Sequence, residues 1–293
     1  MAKRAQIRIG ISGWTYGPWR GVFYPEGLPQ KRELSYAAEQ FRTIEVNGTF
    51  YGLQRPETFA NWRDSTPDDF IFAVKGPRFI THIRRLRDIR APLANFLASG
   101  LLRLDAKLGP ILWQFPPTQQ FDEELFQSFL TLLPGDTDSA LALARHHDER
   151  MKHRCWLESA VRQPIRHAVE IRHDSFCTAA FVKLLRRHKV ALVCADTVSW
   201  PLLMDLTSDF VYCRLHGSKK LYVSGYGPKS LSRWADRVQS WVAGEEPADA
   251  NRLLPPLRPR SSGRDVFVYF DNDVKVRAPI DTAALIRRTT SKI

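Results

Sequence analysis

His167-Ala168-Val169-Glu170-Ile171-Arg172-His173 reads as an apolar strand that carries an acid, a base and an imidazole toward its far end. Successive side chains of a strand point to opposite faces, so Val169 and Ile171 look one way and Glu170 and Arg172 the other. A strand buried in a parallel sheet is normally apolar on both faces. Leaving Glu170 and Arg172 unpaired there would cost several kcal/mol per charge. Either the two neutralise one another or they line a cavity.

The same pattern returns along the chain. Strand signals fall at 7–11, 43–47, 70–75, 111–115, 168–171, 191–195, 210–215 and 266–270. Helical periodicity or a helix start signal lies between most of them, at 33–41, 56–64, 122–162, 181–188, 230–242 and 283–288. Eight strand-then-helix units predict a single α/β domain over 1–293, a (β/α)8 TIM-type barrel, whose usual size is about 250 residues. Two segments read as additions to that plan: an extended helical β4-β5 connection at 117–166 and a Pro/Ser/Gly-rich surface loop at 245–264. The Arg145-to-Arg150 stretch, with His146 and His147 adjacent, is expected to be a solvated face, since neighbouring side chains on a helix diverge.

Composition bounds the class. The chain is 44% hydrophobic and 25% charged, as a globular protein is, and 43 Lys+Arg against 31 Asp+Glu give a net charge of +12. That excess favours anionic partners, either a small molecule or nucleic acid. Cys155, Cys177, Cys194 and Cys213 are far apart without CxxC spacing and read as reduced thiols, two of them in core strands. The apolar run after the basic N-terminus is broken by Arg8, so no signal peptide or membrane span is expected, and the cytoplasm is the expected location.

In such barrels chemistry sits at the C-terminal ends of the strands. The last residues opposite each apolar pair give a polar ring. Its members are Ser12 after strand one, Glu45 and Asn47 on strand two, Lys75 on three, Gln114 on four, and Glu170 and Arg172 on five. Asp196 ends strand six, Arg214 and His216 end strand seven, and Asp271, Asn272 or Asp273 ends strand eight. A salt-bridge network without a ligand would explain one such pair; repetition at so many strand ends argues for a site.

The chain also resembles the domain of unknown function 72 family, the YecE-like proteins. The matching segments are Ile9-Gly10-Ile11-Ser12-Gly13-Trp14, Phe23-Tyr24-Pro25, Glu45-Val46-Asn47-Gly48-Thr49-Phe50-Tyr51, Trp62 and Phe72-Ala73-Val74-Lys75. They continue through Gln114-Phe115-Pro116-Pro117, Glu170-Ile171-Arg172-His173, Ala195-Asp196, Arg214-Leu215-His216-Gly217 and Tyr269-Phe270-Asp271-Asn272-Asp273. The resemblance implies a TIM-type barrel and assigns no activity. Where the family pattern has Asn-Asn-Asp after the eighth strand, this chain has Asp271-Asn272-Asp273, one carboxylate more at the mouth.

Three readings of the ring follow. In the first, an enzyme acts on a phosphorylated or nucleic-acid substrate. Lys75, Arg172 and Arg214 hold the anion, Glu45, Glu170 or Asp196 serves as acid/base, and His216 shuttles the proton. The loop 217–227 would offer backbone N–H groups to phosphate, and Ser12, Trp14, Asn47, Gln114, His173, Tyr226 and Asn272 would complete the substrate's surroundings. In the second, Glu45, Glu170, Asp196, His216 and Asp271 bind a divalent metal for hydrolysis or sugar isomerisation. In the third, the protein binds nucleic acid or a nucleotide without catalysis, stacking bases on Trp14, Trp19, Phe50, Tyr51, Tyr222 and Tyr226. The basic run Arg78, Arg84, Arg85, Arg87 and Arg90 would then touch a backbone. No GxSxG elbow, Walker loop or dinucleotide fingerprint is present, so no nucleotide cofactor is expected.

Overall fold

Alternation along each strand builds the barrel. The computed structural model describes residues 4–290; residues 1–3 and 291–293 of the expected 1–293 domain lie outside the described residues. The strands are β1 (Ile7–Ser12), β2 (Thr43–Val46), β3 (Ile71–Lys75), β4 (Leu108–Gln114), β5 (His167–Glu170), β6 (Ala191–Asp196), β7 (Phe210–Leu215) and β8 (Asp265–Phe270). They pair in parallel, in chain order, and β8 closes on β1. The helices are α1 (Glu33–Gln40), α2 (Gly48–Tyr51), α3 (Pro56–Asp64), α4 (Arg90–Ala98), α5 (Glu123–Leu132), α6 (Thr137–Ala144), α7 (Ala179–His188), α8 (Pro228–Val242) and α9 (Arg277–Thr290). The TIM-type barrel is therefore the fold. Among the described residues no helix is long and apolar enough to cross a membrane, and all four cysteines are free thiols.

Two cores result. Outward strand residues such as Ile9, Ile44, Phe72, Trp113, Val169 and Cys213 pack beneath the helices. Inward residues fill the barrel with alternating bulk: Ala73, Ala168, Ala191 and Ala195 leave room for Tyr212, Tyr269, Phe210 and Phe267. Above this apolar plug the inward positions turn polar. At the opposite end Arg166 pairs with Asp265 at 2.7 Å and lies over the Phe210 ring.

The connection 117–166 is not one helical stretch over 122–162. It breaks at Pro134-Gly135, α6 restarts on an Asp136 capping box with Ser139, and the last part carries only a short 3-10 turn at Glu149–Met151. Proline without an N–H followed by glycine ends a helix, and an aspartate beyond them caps the next. Between β6 and β7 the chain runs without a helix.

The segment 245–264 has no regular element but is pinned. Asp205, 2% exposed, accepts from the backbone N–H groups of Leu253 and Leu254, both at 2.9 Å, and Glu246 accepts from that of Leu257. Replacing Asp205 by alanine leaves two donors unsatisfied and is expected to cost about 1–3 kcal/mol. Limited proteolysis should then cut within 245–264 well before the rest of the chain; an unchanged cleavage pattern would refute the role.

Candidate functional site

Arg214 organises the site. It stands on the inward face of β7, one step above Tyr212, and is fully buried. Its Nε donates to Glu45 Oε2 at 3.0 Å, and its Nη2 to Glu45 Oε1 at 2.8 Å and to Asp271 Oδ2 at 2.7 Å. Its Nη1 donates to Glu170 Oε2 at 2.6 Å and, weakly, to Gln114 Oε1 at 3.5 Å. One planar fork thus gathers three carboxylates from different strand ends. Burial works against its charge, but Asp271, Glu170 and Glu45 more than offset that and hold the guanidinium protonated.

The acids are arranged by the same parity. Glu45 also accepts from Tyr212 Oη at 2.6 Å and from Ser12 Oγ, and Asn47 Nδ2 donates to Ser12 Oγ at 3.1 Å. Glu170 holds Arg172 through Oε1, at 2.7 Å to Nε and 2.6 Å to Nη2. Burial alone would raise the Glu170 carboxyl; Arg172 and Arg214 overcome it and keep it well below the ordinary range. Asp271 is likewise held down, burial being outweighed by Arg214 and His216. Glu170 and Asp271 are therefore carboxylates at neutral pH, and Arg214 engages all three acids.

The remaining groups form the rim. His216 lies with Nδ1 3.1 Å from Asp271 Oδ2 and Nε2 3.6 Å from Glu170 Oε2, yet neither nitrogen makes a well-aligned hydrogen bond inside the protein. Trp200 and Tyr222 meet its ring edgewise, and the Arg172 guanidinium stacks on Trp200 with 4.1 Å to the centroid. Lys75, 7% exposed, points inward from the end of β3 with Nζ 4.4 Å from the Phe50 centroid. No carboxylate of the described residues comes within 4.0 Å of it. Burial first, then the positive charge of Arg214, lowers the Lys75 amine to about 8. His82, on the turn after β3, packs edgewise on Phe50; burial, with Arg172 and Lys75, lowers it to about 4, so the imidazole is neutral at pH 7.

Of the residues expected at the site, the structure brings together Ser12, Glu45, Asn47, Lys75, Gln114, Glu170, Arg172, Arg214 and His216. It turns others away. Asp196 falls on the outward face, because the inward residues of β6 are Ala191, Val193 and Ala195; its carboxylate accepts from Trp234 Nε1 at 2.8 Å. Asn272 faces outward too, donating to Ser224 O and Asp281 Oδ2, so Asp271 is the residue that strand eight contributes. Tyr226 is buried beside Phe270, its hydroxyl accepting from Gly217 N. Trp14 packs on Trp62, and His173 caps the turn after β5 by accepting from Ser175 N.

In the loop after β7 the N–H groups of Gly217, Lys219 and Lys220 are not offered to phosphate, since they donate to Tyr226 Oη and Ser224 Oγ. Sequence reading missed His82, Trp200 and Tyr212. Tyr212 was within reach of it, two residues before Arg214 on the same face; His82 and Trp200 come from irregular loops that carry no periodic signal. The donor set also bears on metal. Among the described residues no three His, Cys, Asp or Glu side chains are disposed to bind an ion, because a guanidinium occupies the space between the acids.

The family model described as "Protein of unknown function DUF72" matches residues 8–292. UPF0759 protein YecE of Escherichia coli (strain K12) is 32% identical over 123 residues, which is 37% of this chain and 43% of that protein. UPF0759 protein YunF of Bacillus subtilis (strain 168) is 28% identical over 122 residues, 38% of this chain and 40% of that one. The matched stretch thus spans less than half the length of these curated relatives. A crystal structure of a DUF72 family protein from Thermotoga maritima MSB8 superposes with a TM-score of 0.71 at 23% identity, covering 96% of this chain and 98% of that one. Another from Enterococcus faecalis V583 gives 0.67 at 16% identity, covering 97% and 96%.

Proposed function

The chain belongs to the DUF72 family, and from that premise we propose that it is an enzyme acting on a small anionic substrate, a phosphate ester in the first instance, at the C-terminal mouth of the barrel. One observation carries the reading: Glu45, Glu170 and Asp271 are committed to Arg214, whereas Lys75 has no carboxylate partner within 4.0 Å among the described residues. A largely buried amine left without a carboxylate partner is stabilised by an anion that arrives with a substrate. Arg172 holds the anion's second edge, its guanidinium flattened on Trp200. His216 relays the proton, with both ring nitrogens free of good protein hydrogen bonds.

The small molecule is favoured over nucleic acid by burial. Trp19 and Tyr226 belong to the core, and Lys75 and Gln114 keep only a small exposed surface, so an extended polymer would meet little of the ring. Fluorescence or calorimetric titration with inorganic phosphate and simple sugar phosphates tests the proposal. Arg172→Ala is expected to weaken binding by about 10–150-fold, equivalent to losing one charge-assisted hydrogen bond of about 1.5–3 kcal/mol. Affinity should also fall as pH rises through about 8, where the Lys75 charge is lost. Absence of any saturable phosphate binding would sink the reading.

A further inference from the structure

We propose that Lys75 is a covalent catalyst: its amine condenses with an aldehyde or ketone group of the anionic substrate to form an imine. The inference rests on the anion site above for the substrate's position and goes beyond it in naming the reacting group. A lysine used only to hold charge gains from carboxylate neighbours. Here the three acids nearest in charge are drawn onto Arg214 instead, and the ammonium is left against the flat face of Phe50. The backbone beneath is fixed, since Thr49 Oγ1 donates to the Lys75 carbonyl at 2.7 Å. A stem fixed at its base, an apolar wall along one side and a neighbouring guanidinium are the conditions that leave a lysine free as a nucleophile. Its lowered proton affinity, to about 8, agrees with that geometry.

The step balances without a co-reactant. The ammonium first gives up a proton to water, which its lowered proton affinity permits near neutral pH. The amine nitrogen then attacks the carbonyl carbon, forming a C–N bond while the C=O π pair becomes a hydroxyl on protonation. Loss of that hydroxyl as water closes the C=N bond. The two hydrogens of the neutral amine leave with the carbonyl oxygen as water.

The full-length protein is incubated with pyridoxal 5′-phosphate, an anionic aldehyde, or with pyridoxal, which lacks the phosphate. Borohydride then fixes any imine, and peptide mass mapping locates it. Lys75 is expected to be labelled at least about tenfold faster than exposed Lys31 or Lys229, with a rate that levels off above about pH 8. Labelling of Lys75 no faster than at those residues overturns the inference. The two readings separate cleanly. If Lys75→Arg still binds inorganic phosphate and wild-type Lys75 is not preferentially labelled, the anion site stands and the covalent role falls. If pyridoxal labels Lys75 as fast as its phosphate ester does, and Arg172→Ala changes neither rate, the covalent role stands and the anion site falls.

Discussion

Arg214→Met is expected to destabilise the fold by about 3–5 kcal/mol, the loss seen when one partner of a buried ionic cluster is removed and the opposite charges are left uncompensated. Glu45 and Glu170 are fully buried, and Asp271 is mostly so. Neither glutamate can turn to water without opening the barrel. Urea titration of wild type and variant measures the loss, and a difference below about 1 kcal/mol would refute the central role. The pH dependence supplies an independent sign. In the wild type the Glu170 and Asp271 carboxyls are held below their unfolded values, so their contribution is present above about pH 4 and is lost as pH falls through the folded values. Without Arg214, burial raises carboxyls on the same strands. The variant should therefore melt higher as pH is lowered from 7 toward about 4, where the wild type changes little.

Gly10→Ala is expected to be nearly as damaging, at about 3 kcal/mol or more, near the top of the range for overpacked cores. A Cβ there would lie 1.9 Å from the Thr43 carbonyl oxygen and 2.8 Å from its carbon, both backbone atoms that cannot swing aside. Thr43 is itself tied on both sides, by its hydroxyl to Ile71 O and to Tyr269 Oη at 2.7 Å each. The strain would separate β1 from β2 one step below Ser12 and Glu45, which are register partners. Phosphate binding should weaken along with the melting temperature. Gly17→Ala, with nothing within 4 Å of the new carbon, is the matched control and should be close to neutral. Equal melting of the two variants would overturn the argument.

Much of this was legible in the sequence because strand parity is a simple rule. Alternation in Val169-Glu170-Ile171-Arg172 and in Cys213-Arg214-Leu215-His216 places acids and bases on the inward face, as the barrel has them. Asp196 shows where position along a strand misleads. It ends β6, but it follows inward Ala195 and so faces α8. Parity applied strictly would have excluded it and, at β8, preferred Asp271 to Asn272. His82 lies beyond any such rule. It reaches the mouth because the chain after β3 winds as a single wide turn at Phe79–Ile83, an arrangement set by packing on Phe50. The partnering of charges is also invisible along the chain: that three acids share one arginine, and that Lys75 is left over, appears only when strands distant in sequence close into a ring.

Arg214 reaches residues of β1, β2, β4, β5 and the end of β8 from its own place on β7, so a single side chain spans most of the barrel's circumference. It works as the hub of a wheel. Any strand that shears past its neighbour must pull on a spoke, and the pull is transmitted to the others. The end of the barrel proposed to meet the substrate is consequently cross-braced. The ligand's surroundings are assembled during folding, and little ordering remains to be done when the substrate binds.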